Sequence, residues 1–514
     1  MAIIGITIIC ISCFCAPMYI FIDCYYLPKL YLFVIGVFIY WVSNFLLESK
    51  VGNNECVLDN LSLFYIIYII MSEYECVYVI VNIIRSGHSE IGEFGTFDNP
   101  AGLALTLSIA VSMIIILSSK TNKRGVQFLL FMMSIPIVII LLFTHSRTGL
   151  ICLALNTLIL LWFLLLRFSN NKSLMRVVFS TTAIILLISV VLYVIFNKYD
   201  STIGREFILE QSLEIIRKHP IIGYGSDGFQ REYMLQQANF FKENPNSIYE
   251  NYADEVRYPM NEFVYLWINY GIGGPILLAS LFLFPFILYK KQKLIHETLL
   301  PLISVIIFSF FSYPFHYQSS WLVLLLVFSP IFHFISRKIT ISFNIRMYST
   351  CLIGILLIVC LSIDIYYEYQ WQMAEKISFR GNHKKALNRY SELHKYFHDN
   401  RFFLYSYAMA AFKGGDMQTA HNVISESGQY WNGYARELLS GDICLYLNEY
   451  EEASEHFSKA HYMCPVRFAP LEGLYKVYNL TDNVLKKDSI VEIIATKSVK
   501  VESSDIERIK ETCK

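Results

Sequence analysis

The sequence predicts an all-α fold: a polytopic membrane helix bundle of about eleven spans carrying an extracytoplasmic helical-repeat domain. Three observations predict it. Long apolar runs fill residues 1–366, the basic residues between them alternate from loop to loop, and a repeat of 34 and then 33 residues occupies part of 367–514. Of the 514 residues 55% are apolar and only 16% are charged, well under the ~25% usual in soluble domains. The formal net charge is zero, so no nucleic-acid partner is expected.

A hydrocarbon core of ~30 Å takes ~20 residues of helix. By that measure spans are expected near 3–22, 30–47, 61–84, 99–118, 127–143, 149–166, 178–197, 268–289, 298–313, 321–336 and 347–366. The first lacks a basic leading region and a small-residue cleavage site, so it reads as a retained span. Orientation comes from the loops. Lys120, Lys123 and Arg124 follow the fourth span, and Arg167, Lys172 and Arg176 follow the sixth. Lys290, Lys291 and Lys293 follow the eighth, and Arg337, Lys338 and Arg346 follow the tenth. Excess Lys and Arg marks the cytoplasmic side. The N-terminus is therefore expected inside, with 85–98, 144–148, a large loop at 198–267, 314–320 and the C-terminal module all outside.

In that module GNHKKALNRYSEL (381–393), GDMQTAHNVISES (415–427) and NEYEEASEHFSKA (448–460) align on Ala386, Ala420 and Ala453. A period of about 34 residues with a small residue in the second helix is the mark of tetratricopeptide-type hairpins. Residues 1–366 are thus expected as the membrane domain and 367–514 as stacked repeats. Such arrays bind protein partners on a concave face, or serve as a plain helical cap. The twelve cysteines show no metal or disulfide spacing. Cys10, Cys13, Cys15, Cys152, Cys351 and Cys360 lie in apolar runs as small hydrophobes. One disulfide among Cys444, Cys464 and Cys513 could form.

Four outer segments set polar residues beside spans, where ionisable groups are costly enough to point to function. GEFGTFDNPAGLA (92–104) offers Asp98 or Asn99 as a helix cap ahead of Pro100. THSRTGL (144–150) puts Arg147, beside His145, at the outer interface, where it snorkels to water or grips a phosphate. STIGREFILEQSLEIIRKHPIIGYGSDGF (201–229) reads as an amphipathic helix with Arg205, Arg217 and Lys218, ended by Pro220. Its three loop glycines fit a phosphate loop only loosely. Finally Arg257, Tyr258, Asn261 and Glu262 precede the eighth span, with Gly271, Gly273 and Gly274 allowing close packing. Together with His219 and His316, these residues describe a basic, acid-dotted outer cavity suited to a lipid-linked pyrophosphate and a hydroxyl acceptor. Pyrophosphate departure needs positive charge more than covalent chemistry.

GTFDNPAGLA, HSRTGL, the GR…HPIIGYGSDGF loop and NEFVYLWINYGIGG occur in the order seen in the O-antigen ligase/polymerase superfamily, which this chain resembles over roughly residues 90–335. That superfamily includes O-antigen ligases, O-antigen polymerases and protein O-oligosaccharyltransferases, and some members carry tetratricopeptide repeats. The resemblance implies metal-independent, cofactor-free transfer of a glycan from an undecaprenyl-pyrophosphate carrier. Transfer would take place at the periplasmic face of a bacterial inner membrane, to lipid A core in lipopolysaccharide biosynthesis, to protein, or to a growing polymer. It also implies that Arg147 and Arg205 engage the pyrophosphate; Arg217, Arg257 and His316 of the outer cavity are read from their placement as further substrate-binding residues. Many relatives place His directly before the Asn–Glu pair; here Met260 stands, and a thioether cannot take a proton. Asn261, His145 or, preferentially, Glu262 would then do the catalytic work, Glu262 on condition that burial raises its pKa. Alternatively no strong base is needed. A lipid-linked glycan transporter would instead show mid-membrane charges and matching halves, and a pure scaffold would leave the arginines without a role.

Overall fold

The computed structural model describes residues 2–14, 32–41, 55–86, 95–97, 99–168, 175, 177–185, 199–292, 299–336, 343–499 and 502–513. Asp98, Cys15, Lys172, Arg176, Lys293, Arg337, Lys338 and most of the expected span at 178–197 lie outside them. Helices account for the regular structure, with no strand among the described residues. Two compact units form: Met1–Tyr199 with Leu277–Ser362, and Asp200–Ile276 with Ile363–Lys514. The large loop therefore belongs to the same unit as the C-terminal helices.

Among the described residues, four helices are long and apolar enough to cross a membrane: Leu61–Arg85, Pro100–Lys120, Arg124–Phe143 and Met347–Phe379. Shorter apolar helices include Arg147–Trp162, Gly273–Leu288, Leu299–Phe311 and Gln318–Ser329. Pro100–Lys120 is buried at every position from Gly102 to Leu117, as befits a helix apolar all round. Small hydroxyls tie its neighbours to it. Thr106 Oγ1 lies 2.9 Å from Ser319 Oγ, and Ser112 Oγ donates to Asn156 Oδ1 at 3.1 Å. Lipid offers no hydrophobic drive between helices, so small residues and such bonds set their approach.

Two boundaries differ from the expected ones. The eighth span does not begin at 268: a separate helix, Glu262–Tyr270, ends at Gly271, and a second one runs Gly273–Gln292. Apolar sequence continues through the break, so hydropathy alone could not place it. The last apolar helix does not stop near 366 but runs Phe343–Phe379 as one piece into the repeats.

The C-terminal domain is tetratricopeptide-like. Ala386, Ala420 and Ala453 are all fully buried on the second helices of successive hairpins. Each hairpin turns through a left-handed residue at Gly381, Gly415 and Asn448, and a fourth at Asp482 continues the spacing. The residue after each makes the same bond back to the preceding helix: Asn382 N–H to Ile377 O, Asp416 to Ala411, Glu449 to Cys444 and Asn483 to Tyr478, at 2.9–3.2 Å. That is a Schellman closure, repeated four times where the alanines show three. Cys444, Cys464 and Cys513 are each free and buried, so the disulfide does not form.

Within this stack the Phe457 ring is wholly buried between two glycines, Gly441 and Gly473, at which a Cβ would stand 2.7 and 2.5 Å from the ring. Three helices thus meet on one aromatic side chain. Phe457→Ala should destabilise this unit by about 3–5 kcal/mol, read by thermal unfolding of the purified chain, whereas Phe402→Ala, on an exposed ring, should change little.

Candidate functional site

In the first unit three helix starts converge. Ser146 caps the helix Arg147–Phe168, its Oγ accepting from Gly149 N–H at 3.2 Å. Gly149 in turn faces the Ala104 side chain, its Cβ position 3.0 Å away. One turn before Ala104, Asn99 caps Pro100–Lys120, its Oδ1 accepting from Ala101 N–H at 2.8 Å while its Nδ2 donates to the Tyr313 hydroxyl at 2.6 Å. Gly102 leaves room for the Tyr317 ring, which a Cβ would meet at 2.4 Å. The segments bearing Asn99, His145–Arg147 and Tyr313–His316 therefore share one end of the bundle, where the helix from Gln318 also starts. Positive ends of helix dipoles collect there, together with the half-buried Arg147, and favour an anion. His145 is exposed, with a left-handed φ of 48°. His316 is half-buried with its ring edge-on to Tyr313. Tyr313 escaped the sequence reading because its role depends on a partner 214 residues away.

In the second unit the Asn–Glu pair opens the nine-residue helix. Asn261 Oδ1 accepts from Val264 N–H at 3.1 Å, so Asn261 is the cap. Glu262 follows it into the interior, only 6% exposed, and burial alone pushes its carboxyl up to about 8. Such a group is mostly protonated at neutral pH and gives up its proton near the pH at which it could relieve a hydroxyl of one. Met260 adopts φ 54°, a left-handed conformation in which Asn, Asp and His are enriched and which costs another side chain about 1 kcal/mol.

The glycine turn does not form a phosphate loop. It docks, backbone on backbone, against the far end of the Glu262–Tyr270 helix. Tyr224 N–H donates to Ile268 O at 2.9 Å and Gly225 N–H to Asn269 O at 2.8 Å. Ile272 N–H returns to Pro220 O at 3.0 Å, and Asn269 Oδ1 accepts from Phe229 N–H at 3.0 Å. A Cβ on Gly271 would lie 1.8 Å from Ile221 O, and one on Gly223 would lie 2.5 Å from Gly271 N. Both have positive φ, 63° and 74°. Asn269 escapes the sequence reading; its one signal is an Asn two residues before a helix-ending Gly.

The amphipathic helix Tyr199–Lys218 and the next, Gly228–Glu243, complete this body. Ile215, Ile216, Phe229, Tyr233 and Met234 share one core with Val264 and Ile268, and with Tyr434, Ala460, Met463 and Cys464 of the repeats. Polar bonds follow the same seam: Asn432 Nδ2 to Arg231 O at 3.0 Å, Gln237 Nε2 to Met463 O at 2.5 Å and Arg467 Nη2 to Asp254 Oδ1 at 2.7 Å. Arg205 is half-buried, two residues before Phe207, and Gly204 of the same motif faces Tyr252. Arg217 is exposed and paired with Glu214, and Arg257 is exposed with its carbonyl accepting from Gln230.

Gly271→Ala should unfold the turn's dock, by the cost of about 1–3 kcal/mol for a side chain at φ 63°, ψ −163°, a region essentially reserved for glycine, and by collision with Ile221, seen as faster amide exchange at Tyr224 and Gly225. A second effect follows from Glu262. Its folded pKa, about 8, lies above the ordinary 4.5, so its contribution to stability is full below 4.5 and is lost as pH rises through 8. Glu262→Gln should flatten the fall of melting temperature across that window.

Residues 129–279 match the family described as O-antigen ligase. No curated protein matches. Among solved structures, the crystal structure of yeast Tom70 is similar at 9% identity and a TM-score of 0.23, over 87% of this chain and 94% of that one, a likeness too low to bear on the fold. The family match and the apolar helices fit a membrane protein with a glycan-transferring, ligase-like role, acting on a lipid-linked glycan and an acceptor. Residues 129–279 are thus similar to the O-antigen ligase family, and the chain also carries a tetratricopeptide-like C-terminal domain.

Proposed function

We propose that this protein transfers a preassembled glycan from undecaprenyl pyrophosphate to an acceptor hydroxyl at the periplasmic face of a bacterial inner membrane, without a catalytic metal. The acceptor oxygen attacks the anomeric carbon as the bond from that carbon to the pyrophosphate oxygen breaks, inverting the centre. The bonding electrons leave with the pyrophosphate, whose charge Arg147 and Arg205 offset, and the acceptor proton passes to the Glu262 carboxylate. The observation that carries this reading is Glu262 itself: a buried carboxyl with its pKa pushed up to about 8, on the first turn of a capped helix. It stands two residues past Met260, where the superfamily's His is missing. The helix dipoles gathered near Arg147 support anion binding. The repeats, which share a core with the large loop, favour a lipid-core or protein acceptor over a growing polymer.

Glycan transfer measured in a strain lacking its own copy tests this. Arg147→Ala and Arg205→Ala should each lower transfer by about 10²–10³-fold and leave glycan on the carrier. Glu262→Gln should lower it by about 10²–10⁴-fold. The wild-type rate should climb with pH to a plateau above about 8, since only the ionised carboxylate accepts a proton. Met260→His should move that limb down toward about 6.5. Normal transfer by Glu262→Gln alongside dead arginine variants would remove the base from the mechanism. Normal transfer by all of them would remove the enzyme.

A further inference from the structure

The four equivalent hairpin turns differ in one respect. At the first position after the left-handed residue, Asn382, Asp416 and Asn483 each cap the following helix, accepting from the N–H of Lys385, Thr419 and Lys486 at 3.3, 3.1 and 3.2 Å. Glu449 occupies the same position in the third hairpin and makes no side-chain cap. Its carboxylate lies instead in a group with the His421 imidazole, the Cys444 thiol and the Glu452 carboxylate, one ligand atom from each within 4.8 Å of every other. The four come from three consecutive helices: His421 from Met417–Ser427, Cys444 from Tyr434–Tyr446, and Glu449 and Glu452 from the start of Tyr450–Met463. None of the other three hairpins puts Cys or His at these positions: Ile377, Ala411 and Tyr478 correspond to Cys444, and Leu387, Ser454 and Asp488 to His421.

We propose that His421, Cys444, Glu449 and Glu452 form a structural zinc site that clamps the second hairpin to the third. One nitrogen, one sulfur and two oxygens suit zinc, which is borderline in softness and indifferent to ligand-field geometry. Zinc bonds of about 2.0–2.3 Å place tetrahedral ligand atoms about 3.3–3.8 Å apart, so the group needs to contract by about 1 Å. The exposed Glu449 and Glu452 side chains can supply that by rotation, while Cys444, buried behind them, stays fixed. Four protein ligands leave no open position, so the ion is structural and not catalytic. Binding converts Cys–SH and Zn²⁺ to Cys–S–Zn with release of one proton to solvent. Burial and the two carboxylates push the free thiol up to about 12; a divalent cation reverses that effect. The ligands are scattered over 421–452 on three helices, which is why no short sequence motif announces them.

The test uses the full-length chain purified in detergent, stripped of metal and titrated with zinc and with cobalt. Expected are one saturable zinc per chain, a raised melting temperature, and a thiolate-to-cobalt charge-transfer band. Cys444→Ser should lose the band and His421→Gln should bind zinc at least tenfold more weakly, while Cys360→Ser, on an exposed cysteine elsewhere, should bind as wild type does. Should Cys444→Ser fail to fold, Glu452→Gln, at an exposed position, carries the same expectation as His421→Gln. Absence of saturable binding by the wild type, or equal affinity in His421→Gln and Glu452→Gln with native helical content, overturns the site.

Discussion

The contact on which the second unit depends is backbone against backbone: the Pro220–Gly228 turn seated on the end of the Glu262–Tyr270 helix. Two glycines with positive φ make it sterically available, and three backbone hydrogen bonds, with a fourth from Phe229 N–H to Asn269, pair polar groups of the turn and the helix end. The contact fixes where the helix ends and so where its first turn lies. That first turn carries Glu262 into the interior, and burial sets the carboxyl's proton affinity. Removing the side-chain-free approach at Gly271 would therefore act on the Glu262 carboxyl nine residues away through position alone.

The repeats are continuous with this arrangement. The Phe343–Phe379 helix enters them without a break, and residues from Tyr434 to Cys464 complete the core that the large loop begins. A stack of helical hairpins propagates stability through neighbours, so support for the loop travels along the array from the third hairpin. A cation joining the second hairpin to the third would stiffen the array next to the seam. The part of the repeat surface that faces the loop is thereby occupied within the chain, and any partner must use what remains.

Much of the bundle was legible because apolar length dictates helices: the span expected at 99–118 is the helix Pro100–Lys120, and that at 127–143 is Arg124–Phe143. Asn99 was legible as a cap from its place before Pro100. The break at Gly271 was not, since a hydropathy window runs smoothly through WINYGIGGPILL and a glycine's meaning lies in the partner that approaches it. The fourth hairpin escaped alignment on alanine because Lys487 stands 34 residues after Ala453; terminal repeats are atypical, and only the left-handed Asp482 and its Schellman bond reveal it. The motifs pointed to Glu262, while its burial, and hence its proton affinity, depends on tertiary packing that composition does not carry.

The most direct measurement is an infrared titration of the Glu262 carboxyl, taken as the difference between wild type and Glu262→Gln in the purified full-length chain. A protonated C=O band that persists through neutral pH and disappears near pH 8 is the expected result. A band already gone by pH 6, with a midpoint near the ordinary 4.5, would contradict the buried-base mechanism and return Glu262 to the role of a helix-start residue.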